Sequence, residues 1–232
     1  MARPRVKCAP EHVLVFDLDD TLYLERDYVL SGLGAVGAWA RERLGLVEYG
    51  TFLRRKFEAG ARTQLFDDCL RDLDIDPTPS LVGRMLAVYR QHRPIIELAP
   101  DAVNFLTNIA PHIAIGVITD GYLDAQRRKI RALDLYRRGV SLGICTDRWG
   151  RAHWKPDRRA FLHMQEYFGL ANHCFTYVAD NPAKDFIAPT ALGWHTIRIV
   201  RPGKIEHGHN GGHHCEAEIV IENLGELRVT CE

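Results

Sequence analysis

The clearest pattern along the chain is a short apolar run, Val13-Leu14-Val15-Phe16, that stops at two carboxylates, Asp17 and Asp19. Its length and its β-branched and aromatic content are those of a strand buried on both faces. Charge does not belong inside such a strand, so Asp17 is placed at its C-terminal end. The pattern returns at His112–Thr119, which runs into Thr119-Asp120-Gly121, and at Cys174–Ala179, which ends at Asp180. Further strands are expected over Val140–Cys145, Trp194–Val200 and Ile219–Ile221. Helical spacing fills the intervals: Asp101–Asn108, Tyr122–Leu133, Asp157–Phe168 and Asn181–Leu192, with Pro189 bending or ending the last of these early. A closing helix is expected over Leu224–Val229. Strands alternating with helices predict an α/β fold, a Rossmann-like, doubly wound parallel sheet.

One block breaks the alternation. Tyr28–Leu44, Val47–Ala59, Thr63–Leu73 and Leu81–Tyr89 all read as helices, punctuated by Gly45, Gly60 and the turn Asp76-Pro77-Thr78-Pro79-Ser80, with no convincing strand. The chain is therefore divided into a core, residues 1–24 and 94–232, and an inserted helical unit, residues 25–93. Within the insert, Gly32, Gly34 and Gly37 spell GxGxxG. The segment before them, Leu24 to Tyr28, is charged rather than strand-like, so the glycines are read as sites of close helix packing and not as a dinucleotide fingerprint.

Composition narrows the function only a little. The 232 residues carry 30 basic and 30 acidic side chains, a balance that argues against a nucleic-acid polymer or an anionic membrane as partner. The basic N-terminus lacks the apolar stretch of a secretory signal, and no run approaches membrane-spanning length. Six cysteines without a CxxC pair fit reduced thiols, and a cytoplasmic protein is expected. His207, His209, His213, His214 and Cys215 form a tract that matches no standard zinc spacing and is read as a solvated loop. Arg127-Arg128-Lys129, with Arg131, is read as a solvated helix face.

The chemistry gathers where strands end. In a parallel sheet, the ends at Asp17, Thr119 and Asp180 lie on one edge, where ligands bind in open α/β folds. Carboxylates brought together there repel one another unless a cation joins them. Lys155, ahead of a helix, can reach the same edge.

Asp17-x-Asp19-x-Thr21, Thr119, Lys155-Pro156 and Asp180-x-x-x-x-Asp185 resemble, in order and spacing, the four motifs of the haloacid dehalogenase (HAD) superfamily. The helical insert between the first two motifs is similar to the C1 cap of subfamily I. The resemblance implies an Mg²⁺-dependent phosphatase acting on a small phosphorylated metabolite, a nucleotide, a sugar phosphate or a relative of these. It implies Asp17 as nucleophile, forming an aspartyl-phosphate, and Asp19 as acid and then base. Thr119 with the neighbouring amides of Asp120 and Gly121 would hold phosphoryl oxygens. Lys155 would balance the charge. Asp17, Asp180 and the backbone carbonyl of Asp19 would bind the metal, and Asp185 would orient its surroundings.

Position 19 discriminates within the superfamily. Dehalogenases and phosphonatases typically lack this second aspartate, so its presence favours phosphatase or phosphomutase chemistry. One departure stands at Ala179, where the fourth motif often has glycine. A mutase and a phospholigand-binding protein without turnover remain as alternatives, and the oligomeric state stays open between monomer and homodimer. Tyr23, Glu25, Arg26, Tyr28, Arg54, Arg55, Lys56 and Arg62 are candidates for substrate selection, set against an ordinary role in the insert's surface and core.

Overall fold

β-branched residues dominate the segments that pair in the sheet. The computed structural model describes residues 10–205 and 215–227. Its strands are β1 (His12–Phe16), β2 (Ile113–Thr119), β3 (Val140–Cys145), β4 (Phe175–Ala179), β5 (His195–Ile199) and β6 (Ile219–Ile221). They form one sheet in the order β3-β2-β1-β4-β5-β6, with every neighbouring pair parallel. The chain steps outward from β1 to β3, then returns to lay β4 on the other side of β1. The order therefore reverses between β1 and β4, which makes their C-terminal ends the switch point where an open α/β sheet leaves a crevice. Phe16 lies opposite both Val117 and Val178. Thr119 and Asp180 thus leave the sheet one residue beyond the level of Asp17.

The helices are α1 (Glu25–Leu44), α2 (Tyr49–Glu58), α3 (Leu65–Arg71), α4 (Pro79–Gln91), α5 (Pro100–Thr107), α6 (Leu123–Ala132), α7 (Arg159–Phe168) and α8 (Ile187–Ala191). None is long and apolar enough to cross a membrane. The chain divides into two compact units. One contains the sheet and consists of the chain up to Glu25 and from Glu97 onward; the other is Arg26–Ile96.

In the sheet unit, Val13, Val15, Ile118, Ile144, Phe161, Met164, Phe175, Tyr177 and Trp194 form a buried cluster. Trp194 stacks on Phe175 with ring centroids 4.5 Å apart. At Gly116 a Cβ would lie 2.7 Å from Met164 Sδ, so a larger residue there would push the end of the Met164 side chain aside. Two helix expectations need correction. The helix expected over 181–192 forms only at Ile187–Ala191. Before it, the Asp185 carboxylate accepts the Asn181 N–H at 3.1 Å and the Asn181 side chain accepts the Ala183 N–H at 3.0 Å. These local bonds hold a turn in competition with helix. Near the C-terminus only a 3₁₀ turn, Leu224–Glu226, is formed among the described residues, closed by a capping box from Asn223.

In the helical unit the core includes Leu33, Val36, Tyr49, Leu53, Phe57, Phe66, Cys69 and Met85. Thr78 caps α4 by accepting the Leu81 N–H, with Pro79 in the first turn. The three glycines of α1 have different duties. Gly37 faces Gly50 of α2 so closely that a Cβ on it would lie 2.4 Å from the Gly50 Cα, and a Cβ on Gly32 would meet the Tyr89 ring at 2.5 Å. Gly34 is exposed and faces open space. Gly34→Ala is therefore expected to stabilise the protein by about 1 kcal/mol, the helix-propensity gain. Gly37→Ala is expected to destabilise it by about 1–3 kcal/mol through overpacking against backbone. Urea midpoints of the two variants check this; equal shifts would show that α1 and α2 do not pack through these glycines.

Candidate active site at the sheet edge

Asp17 follows β1 directly and donates its backbone N–H to Val178 O at 2.9 Å, which fixes the start of its loop against β4. Its carboxylate is buried and accepts from Lys155 Nζ at 2.8 Å. The same ammonium lies 2.7 Å from Asp185 Oδ1 and 3.0 Å from the Tyr177 hydroxyl. Lys155 has no exposed side-chain surface, so its whole charge is spent on these partners. Burial works against that ammonium, but Asp17, Asp185 and Asp120 outweigh it and raise its pKa.

Asp17, Asp180 and Asp185 form a buried group in which one oxygen of each lies within 4.8 Å of the others, an arrangement that could hold a metal ion. Burial pushes the Asp17 carboxyl up to about 6, with Lys155 opposing and Asp185 adding to the rise. Burial, then Asp185 and Asp17, push Asp180 up to about 7. Lys204 approaches Asp180 only to 3.7 Å. Asp185 stands within this group and touches Lys155 directly.

Thr119 is buried at the end of β2. Asp120 is occupied by the scaffold: its carboxylate accepts Thr146 Oγ1 at 2.7 Å, the Lys155 N–H at 3.1 Å and Lys184 Nζ at 3.4 Å. Burial raises this carboxyl, but Lys155, Lys184 and the hydrogen bonds prevail and hold it below the usual range. Of the Asp120–Gly121 pair, only the backbone remains for an anion. Gly121 has φ +123°, and a Cβ there would meet the Gln126 amide at 2.5 Å. Asp20, at φ +53°, accepts the Glu25 and Ile205 N–H groups at 2.9 and 3.3 Å and so anchors the turn after Asp19. Arg201 holds the same turn from the other side, donating to Thr21 O at 2.6 Å and pairing with Asp101 at 2.9 Å.

Asp19 does not join the carboxylate group. Its side chain turns to α6, where Lys129 Nζ reaches Oδ1 at 2.7 Å and Oδ2 at 2.9 Å. Gln126 Nε2 donates to Oδ2 at 2.9 Å, and the Tyr23 hydroxyl donates to Oδ1. Burial alone would raise the Asp19 carboxyl, but Lys129 and these donors lower it instead. This corrects the reading of Arg127-Arg128-Lys129 as a solvated face: Arg127 is exposed, whereas the Lys129 side chain is only 4 % exposed. The signal was in the spacing, since Gln126, Lys129, Ile130 and Leu133 share one helical face.

Several candidates for substrate selection are otherwise engaged. Tyr23 is fully buried, and Tyr28 packs on Tyr89 and His92. Arg26 and Arg54 both pair with Glu58 at 3.1 Å, Lys56 pairs with Asp72, and Arg62 lies over the Phe57 ring. The tract His207–His214 lies outside the described residues. Cys69, Cys145, Cys174 and Cys215 are unpaired thiols.

The raised carboxyls fix the sign of a pH effect. In the folded protein Asp17 and Asp180 keep protons that they release near pH 4 when unfolded. Their contribution to stability is full below pH 4 and is lost as pH rises through 6 to 7. In chelator-treated protein, wild type should therefore lose stability from pH 5 to pH 8 relative to Asp180→Asn. Urea midpoints at both pH values measure this. Parallel pH dependences for the two proteins would contradict the electrostatic picture of the site.

Neither the family models nor the curated proteins searched match the sequence. Solved structures do match the fold. A HAD-superfamily hydrolase of subfamily IA from Geobacter sulfurreducens PCA superposes with a TM-score of 0.62 at 15% identity, covering 91% of this chain and 92% of that one. A 2-haloacid dehalogenase from Pseudomonas syringae pv. Tomato DC3000 gives 0.60 at 21% identity, over 92% and 95%. The HAD-hydrolase YfnB from Bacillus subtilis, solved with magnesium bound, gives 0.59 at 16% identity, over 94% and 96%. The chain has the fold of the haloacid dehalogenase-superfamily hydrolases.

Proposed function

We propose that the protein is an Mg²⁺-dependent phosphatase that hydrolyses a small phosphomonoester through an aspartyl-phosphate on Asp17. The observation that carries this reading is the pairing of two chemically separate carboxylates one residue apart. Asp17 sits among Asp180, Asp185 and Lys155, while Asp19 is held by α6 on its own set of donors. In this reading Asp17 attacks and Asp19 exchanges a proton.

The residues fit a hard divalent cation. Asp17, Asp180 and Asp185 offer only oxygen donors, and Lys155 between Asp17 and Asp185, with Lys204 3.7 Å from Asp180, offsets only part of their negative charge. Asp17 and Asp180 would hold the ion with Asp185 beside them, and the Asp19 carbonyl is a further candidate. When bound, Mg²⁺ would offset the anionic charge of the phosphoryl group.

The chain's own residues then account for the reaction. Thr119 and the amides of Asp120 and Gly121 receive phosphoryl oxygens. An Asp17 oxygen attacks phosphorus, and the bond to the leaving oxygen breaks with its electron pair. Asp19, having first taken up a proton against the donors that lower it, gives that proton to the oxygen. Water then attacks phosphorus, surrenders a proton to Asp19, and frees Asp17 and inorganic phosphate. Lys155 opposes negative charge on Asp17 and on the transferring group throughout.

A second reading has a specific observation in its favour, because several of the matching structures are haloacid dehalogenases. There Asp17 would displace halide from carbon, and Asp19 would have no leaving group to protonate. Phosphate release from nucleotides, sugar phosphates and an aryl phosphate, alongside halide release from 2-haloacids, separates the two. The expected result is phosphate release that stops on chelation, returns with Mg²⁺, and falls at least about 10³-fold in a folded Asp17→Asn variant. Halide release without phosphate release would replace the phosphatase reading with the dehalogenase one.

A further inference from the structure

Lys155 and Lys184 both bear on the carboxylates of Asp17 and Asp120, but they are placed differently. Lys155 is enclosed. Asp17, Asp185 and the Tyr177 hydroxyl stand 2.8, 2.7 and 3.0 Å from its ammonium, and none of its side chain is exposed. An incoming phosphoryl oxygen finds no open surface on it. The Lys184 side chain keeps 32% exposure, and among the described residues its ammonium has one partner, Asp120 Oδ2 at 3.4 Å. An ammonium has three N–H donors, so some are left over. It is close enough for its charge to pull the Asp17, Asp120 and Asp180 carboxyls downward. Lys204 is also partly exposed, but it stands 3.7 Å from Asp180, at the carboxylate group. Lys184 stands instead at the loop after β2, where only backbone is left to meet an anion. The local fold accounts for this placement. Lys184 and Asp185 both donate their backbone N–H to Asn181 O, at 3.2 and 2.9 Å, and the Asn181 and Asp185 side chains close the same turn. Consecutive side chains then serve separate partners, Asp185 meeting Lys155 and Lys184 meeting Asp120. The turn that replaces the expected helix thus sets a partly exposed ammonium beside the loop after β2.

We infer that Lys184 is a substrate-binding residue whose ammonium donates to an oxygen of the phosphoryl group, a contact that the enclosed Lys155 does not offer. The inference rests on the phosphatase reading. Lys155 then acts on the phosphoryl group through its field alone, while Lys184, Thr119 and the amides of Asp120 and Gly121 make the direct contacts. Both lysines oppose the same negative charge, but only Lys184 changes partners when substrate arrives.

Titration of inorganic phosphate followed by ³¹P NMR, with Mg²⁺ present, reads this contact without turnover. Lys184→Gln is expected to weaken phosphate binding about 10- to 100-fold, the worth of one charge-assisted hydrogen bond. Combining Asp120→Asn with Lys184→Gln restores the net charge of wild type and leaves no buried carboxylate short of its partner. That double variant should bind phosphate at least about 10-fold more weakly than Asp120→Asn alone, and it carries the test if Lys184→Gln does not fold. A lysine that served only to hold Asp120 would lower the urea midpoint and leave the phosphate affinity of the folded protein unchanged. Affinities within about 2-fold of the parent in these comparisons would overturn the role of Lys184 alone. A wild type that neither binds phosphate nor releases it from any phosphomonoester would overturn the phosphatase reading and this inference together.

Discussion

The site is organised around one buried ammonium. Lys155 lies within 3 Å of both Asp17 and Asp185 with its side chain fully enclosed. A charge so placed is costly unless it is paired and hydrogen-bonded, and the carboxylates around it are costly without it. The Tyr177 hydroxyl and the backbone bond from the Lys155 N–H to Asp120 fix where that charge sits. β1, β4 and the segment that leads into α7 are thus bound to one another electrostatically where the strand order reverses. Burial above all raises the carboxyls of Asp17 and Asp180, and the group still carries an excess of negative charge. A divalent cation would relieve it.

Two charge systems share the sheet edge without merging. Asp17, Asp180, Asp185 and Lys155 make the first; Asp19, Lys129 and Gln126 make the second. Chain geometry permits the separation. The Asp17 N–H is bonded to β4, and Asp20 turns the chain sharply, with its φ in the left-handed region and its carboxylate tied to Glu25 and Ile205. Neighbouring aspartates thereby acquire opposite environments, one raised above the ordinary carboxyl range and one lowered below it.

Much of this was legible in the sequence because charge terminates buried strands. Val13–Phe16, His112–Thr119 and Cys174–Ala179 each run into or end at the polar residue (Asp17, Thr119, Asp180) that the sheet places at its edge, and the break in alternation marks the helical insert. The structure parted from the pattern where tertiary contacts overrule local composition. Asn181–Phe186 satisfies the spacing of a helix, yet the Asp185 carboxylate and the Asn181 side chain capture backbone N–H groups and hold a turn. Lys129 looked solvated because it stands among arginines, although its apolar neighbours at helical spacing place it on the inner face. Tyr23 looked available to a ligand and is instead buried against Asp19. Gln126, Lys184, Tyr177 and Arg201 carried no motif of their own; only the folded chain brings them to the site.

The most direct test of the account is to look for the covalent intermediate itself. With an aryl phosphate, Asp19→Asn should still transfer the phosphoryl group to Asp17 but stall before its hydrolysis, since departure of the aryl group needs little acid and attack by water needs the base. Mass spectrometry of the acid-quenched, proteolysed enzyme after a single turnover should find one phosphoryl group on the peptide that carries Asp17. Release of the aryl product with that peptide unmodified would contradict Asp17 as the nucleophile, and with it the division of labour between Asp17 and Asp19.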